Sequence, residues 1–232
     1  MDKLSYYDVL SNLLPGLVFV WALGVLGPFT KGTIQLLLTG NTIVDSIIFV
    51  ALGYVAGHIL QFISRYSIEQ ILKRIFWKGN FFSDIFLVSA FKQCPQVELR
   101  RYIAIAENKL GFSRDDLGVL CDPDVTSNQS KKEKAISLSR AIYRAIDAKT
   151  SGLSRAHKAH IQNTFYSLFR NLSVVFLILG LSDLLAIILH FVPLSKKMTF
   201  LIVVNFAISV IFFIRAKQRG ELYVRSLFWS YI

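Results

Sequence analysis

The sequence predicts an all-α polytopic membrane protein: four transmembrane helices in two hairpins, with a helical cytoplasmic insert between spans two and three. Three observations carry that expectation. Of the 232 residues 53% are hydrophobic and only 18% are charged, with a mean hydropathy of +0.49, which excludes a disordered chain and an ordinary soluble domain. The apolar residues gather into four long stretches. Lys and Arg, 26 against 15 acidic residues for a net +11, gather between them, and on a hydrophobic chain such charge points first to loops facing an anionic leaflet. Nucleic acid is the second reading of the charge and is not favoured.

Residues 1–64 form the first hairpin, with spans at about 11–30 and 42–64. From Val9 to Thr30 there is no charge, and the nearly all-apolar run Leu13 to Phe29, at about 1.5 Å per residue, nearly covers a hydrocarbon core of roughly 30 Å. Pro15-Gly16 sits early in the run and no basic segment precedes it, which argues against a cleaved leader. Residues 171–214 form the second hairpin, with spans at about 171–193 and 198–214. The short link Pro193 to Lys197 forces these two to be antiparallel. Eighteen of the 26 basic residues lie between Arg65 and Arg170 and four more follow span four, so the insert and both termini are placed in the cytoplasm.

The spans carry a sparse polar layer. Tyr54, His58, Gln61 and Arg65 share one helical face that should avoid lipid, and Gly53 and Gly57 make a G-x-x-x-G spacing suited to helix packing. Span three carries Gly180, Asp183 and His190 on one face, and span four carries Asn205 and Ser209. Counting from the cytoplasmic arginines places His58 and Ser209 about 10 Å deep, Asn205 about 15 Å and Asp183 about 20 Å. Asp183 should then face the bundle interior, with Asn205 and the Trp21 indole as its expected partners. Such a layer can simply pin helices together, or it can serve an ion path or a two-state hinge.

The insert, 65–170, carries 18 basic and 10 acidic residues. Ile68, Ile71, Leu72 and Ile75 predict an amphipathic helix with Trp77 near its end, suited to the bilayer surface or to an extended bundle helix. The Phe-rich segment 81–91 is the core candidate, and further helices are expected over 96–109, 131–149 and 154–170. Lys131, Lys132, Lys134, Arg140 and Arg144 make a basic face for anionic lipid or an acidic partner. Asp122, Asp124, Thr126, Asn128, Ser130 and Glu133 fall at calcium-loop positions, but Ser127 replaces the turn glycine and Pro123 intrudes, so a helix-capping turn is expected instead. His157 and His160 lack a nearby third ligand, and the two cysteines, Cys94 and Cys121, build neither a disulfide framework nor a four-thiolate site. No cofactor, metal or catalytic constellation is expected. The tail 215–232, with Leu222, Phe228, Trp229 and Tyr231, should lie along the interface as an amphipathic anchor or pack on the insert.

The opening Ser5-Tyr6-Tyr7-Asp8-Val9-Leu10, then Leu14-Pro15-Gly16, and the tail Arg215 to Phe228 resemble the two ends of uncharacterised bacterial four-span membrane proteins encoded beside phage-defence genes. The resemblance implies the bacterial inner membrane and an antiviral setting. The expected function is a membrane sensor or effector: the insert engages a soluble cytoplasmic protein, and the bundle, oligomeric through Gly53 and Gly57, relays the signal or alters permeability. A small ion or solute transporter and a passive membrane anchor are the alternatives.

Overall fold

A computed structural model describes residues 6–26, 39–150 and 156–232. Among them every regular element is helical. A short turn, α1 (Tyr6–Asp8), runs into a π-helical turn, Val9–Leu13, and then α2 (Leu14–Leu26). There follow α3 (Thr42–Tyr66), α4 (Ile68–Phe76), α5 (Phe82–Ile85), α6 (Gln96–Leu110), α7 (Arg114–Cys121), α8 (Gln129–Thr150), α9 (His157–Ile188) and α10 (Lys196–Tyr231). Among the described residues three helical stretches are long and apolar enough to cross a membrane: Thr42–Phe76, His157–Ile188 and Lys196–Tyr231. The first apolar helix, Val9–Gly24, is shorter, and residues 27–30, over which the first span was expected to finish, lie outside the described residues.

The chain divides into two compact units, Met1–Ile71 with Asn163–Arg219, and Leu72–Gln162 with Gly220–Ile232. In the first, α2 lies unusually close to α3. A methyl group added at Gly16 would collide with the Gly53 carbonyl, and one at Gly57 with the Asn12 carbonyl, so three glycines make the approach possible. Val174, Val175, Leu179 and Ala186 of α9 and Ala216 of α10 complete the apolar interior, and Phe169, Phe212 and Phe176 stack in series.

The second unit is built around the Phe-rich segment. Phe82, Ile85, Phe86, Leu87 and Val88 are all buried. Phe86 and Tyr102 each stand 5.0 Å, ring to ring, from Phe228, and Leu227 is fully buried beside it. Residues 220–232 therefore belong to this unit's core, the second of the two arrangements the tail sequence allows. Leu222 and Trp229 stay exposed. Trp77, placed by composition at a bilayer surface, is buried here and donates to Glu221 Oε1 at 3.3 Å.

Candidate functional site: a buried polar cluster around Arg170

The most unusual chemistry in the first unit starts from one proline. Pro15 has no N–H, so the helical donor to the carbonyl of Ser11, four residues back, is missing. The chain answers by widening: Leu14 N–H bonds to Val9 O, five residues back, in a π turn, a distortion that proline insertion and functional sites share. Asn171 Nδ2 from α9 then donates to the Ser11 carbonyl at 2.6 Å. The Asn171 Oδ1 atom accepts a short hydrogen bond from Ser64 Oγ of α3.

Arg170, adjacent on α9, donates from Nε to Ser64 Oγ at 3.1 Å. Its Nη1 lies 3.6 Å from Glu69 Oε2 of α4, and its guanidinium sits 5.2 Å from the centre of the Tyr166 ring. The Arg170 side chain is only 4% exposed and that of Glu69 15%. One turn earlier, the Ser167 and Tyr7 hydroxyls are 3.0 Å apart. Ser11 Oγ and Asn12 Oδ1, both buried, have no hydrogen-bond partner among the described residues. A desolvated ion pair, three amide and hydroxyl bridges and two unsatisfied groups thus meet where α1, the π turn, α3, α4 and α9 converge. Such a network is costly in any incomplete arrangement, which suits it to holding one packing of helices or switching between two.

The polar residues foreseen from sequence distribute differently. Asn205 Nδ2 donates to Asp183 Oδ2 at 3.1 Å, with Asp183 3% exposed. Trp21, its other expected partner, is 55% exposed. Ser209 Oγ donates to the Ser173 carbonyl at 2.8 Å and Ser173 Oγ to the Ser209 carbonyl at 3.0 Å, a reciprocal clasp between α9 and α10. Gly53 and Gly57 line the seam with α2, so that spacing is filled within one chain. Tyr54 and His58, one position on from each glycine, stack edge-on at 4.5 Å on the adjoining flank of α3. Both are exposed, as is Arg65, with Gln61 half-buried.

On the insert, much of the basic face is neutralised internally: Lys131 pairs with Asp122 at 3.6 Å, Lys134 with Asp116 at 2.7 Å and Arg140 with the buried Asp84 at 2.7 Å. Lys132 and Arg144 complete that face of α8. The Asp122 segment forms local turns, with Asp122 Oδ1 accepting from Asp124 N–H. Asn128 Oδ1 caps α8 by accepting from Ser130 and Lys131 N–H. Among the described residues no three His, Cys, Asp or Glu side chains gather closely enough to hold a metal.

The Arg170 cluster escapes a sequence reading that takes Arg65 and Arg170 as markers of the cytoplasmic boundary and Ser64 as the end of span two. The signal was there in Pro15 four residues after Ser11, and in the pair Arg170-Asn171 opening a long apolar run. Comparison with protein-family models, curated proteins and solved structures returns no match to this chain.

Proposed function

We propose that this protein is a membrane-embedded sensor or effector of the bacterial inner membrane. Its insert engages a soluble cytoplasmic partner or signal, and its helical bundle, assembled from more than one copy, relays that event or alters bilayer permeability. The resemblance of its two ends supports a place in phage defence. In this reading both termini and the insert face the cytoplasm, and no enzymatic step is involved.

The observation that supports the reading best is the Arg170 cluster. A buried ion pair at 3.6 Å, with orphaned polar groups beside it, is poorly suited to maximal stability, since well-packed apolar side chains would serve as well or better. It is well suited to a joint with two discrete packings. The chain passes between its two compact units within α4, α9 and α10, and Glu69 and Arg170 belong to α4 and α9. Binding to the insert has a covalent route to the cluster.

The test is dye leakage from liposomes holding the full chain, alongside a potential-sensitive dye in expressing cells before and after phage infection. Arg170→Met and Asp183→Asn are compared with wild type. Permeability that rises on infection in wild type and is altered in Arg170→Met is expected; permeability unchanged in all conditions removes the effector reading. Burial of Asp183 against Asn205 favours a second reading, a small transporter, which predicts steady flux without any partner, lost in both Asp183→Asn and His58→Ala.

A further inference from the structure

The loop after the Phe-rich core closes on a residue unsuited to its backbone. The short turn Ser89–Phe91 ends at Lys92 with φ +54° and ψ +31°, the left-handed region that glycine or asparagine fills at least cost. A lysine kept there supplies an ammonium where glycine would serve the turn better. Lys92 borders a cavity of about 590 Å³ within the second unit. Three stretches far apart in sequence build it: residues 89–96, Pro123 after α7, and Arg225 of α10.

The lining combines two kinds of chemistry. Arg225 Nη2 donates to the Gln93 carbonyl at 3.4 Å, which ties the guanidinium to the loop and leaves most of its five N–H donors unspent. Among the described residues neither Lys92 nor Arg225 pairs with a carboxylate, and no acidic side chain lines the cavity. Asp122, the neighbour of Pro123, is engaged by Lys131 at 3.6 Å. Ser89 and Gln96 add a hydroxyl and an amide, while Pro95 and Pro123 contribute an apolar wall.

Two cations with neutral donors and no carboxylate suit a doubly charged anion. A phosphate ester carries nearly two charges above about pH 6 and three strong acceptor oxygens, and an arginine fork reads such a group bidentately. Bare phosphate would leave most of the volume empty, since cavities of roughly 300–1,000 Å³ take whole organic ligands. We infer that this cavity binds a small soluble organic phosphate, its phosphoryl group on Lys92 and Arg225 and its body along Pro95 and Pro123. The inference goes beyond the sensor or effector reading and stands without it.

Calorimetric titration of the full chain in nanodiscs, in phosphate-free buffer, tests it with adenosine monophosphate, inorganic phosphate and adenosine as probes. The monophosphate should bind once per chain and be displaced by inorganic phosphate, and adenosine should not bind. Arg225→Gln should weaken binding about tenfold, the loss of one charge-assisted contact. Lys92→Gly should weaken it as much while the thermal midpoint of unfolding holds or rises, because glycine suits that backbone. Lys158→Gln, which removes an exposed cation of the same unit outside the cavity, should change nothing.

No heat from either phosphate at millimolar concentration, an equal loss in Lys158→Gln, or adenosine binding as tightly as its monophosphate would each overturn the site. Nanodiscs of phosphatidic acid and of phosphatidylglycerol should give the same affinity; selective displacement by phosphatidic acid would make the ligand a lipid headgroup and overturn the soluble one. The leakage assay reads separately: a chain that binds the monophosphate and never leaks keeps this site and loses the effector reading.

Discussion

Arg170 is the side chain on which the first unit is most exposed to damage. It is 4% exposed and its charge is balanced by Glu69 at 3.6 Å, so removing either partner strands a desolvated charge at a cost of about 3–5 kcal/mol. Glu69→Ala and Arg170→Ala should each lower the midpoint of thermal unfolding in detergent by several degrees. The double change to Gln and Met should recover most of the loss, because a neutral pair needs no counter-charge. The cysteines separate in the same residue-level way. Burial, reinforced by Glu98, pushes the Cys94 thiol up to about 12, leaving it protonated through the physiological range, whereas Cys121 is exposed. Since thiolate is the reactive form, maleimide at pH 8 should modify Cys121 and spare Cys94 until the second unit unfolds. Equal rates at the two positions would contradict this packing.

Among the elements, the α2–α3 seam gives the sharpest ranking. A methyl at Gly53 would meet the Leu17 side chain, its nearest atom 2.5 Å away, and a side chain can rotate aside; at Gly57 it meets the Asn12 backbone, which cannot. Gly57→Ala should therefore destabilise the hairpin more than Gly53→Ala, by at least about 1 kcal/mol on the scale of overpacked cores, read from unfolding in mild denaturant. The π turn offers a double-mutant cycle. Pro15→Ala restores a donor to the Ser11 carbonyl, so Asn171→Ala should cost about 1–3 kcal/mol in the wild-type background and distinctly less in Pro15→Ala. Additive losses would separate the proline from the asparagine. These elements also show how far sequence reaches. Hydropathy located α3, α9 and α10, and 3.6-residue periodicity located α6 and α8, because both signals are summed along one helix. The cluster was not legible: its parts, Ser11, Ser64, Glu69 and Arg170, stand on different elements, and nothing local says which of their faces meet. The Gly53 and Gly57 pair was legible as a packing motif, but its partner was not, since a small-residue spacing is indifferent to which helix approaches it.

For the whole molecule, the division into two units has the consequence that each is closed by segments far apart in sequence. In the second unit Phe228 packs on Phe86, which stands 142 positions earlier in the sequence. Phe228→Ala should remove about 3–5 kcal/mol from that unit, visible as early loss of Cys94 protection, while the spectral signature of the apolar helices persists. During synthesis the same arrangement imposes an order of events. The ribosome delivers the Phe-rich segment first, then both long apolar helices of the second hairpin, and Leu227 and Phe228 last. Until those two arrive the nascent lobe displays an unfilled aromatic socket, a surface that chaperones recognise and proteases can reach. Completion of this lobe thus waits on emergence of α10, and a chain truncated within that helix should be cleared from the cell before it can assemble.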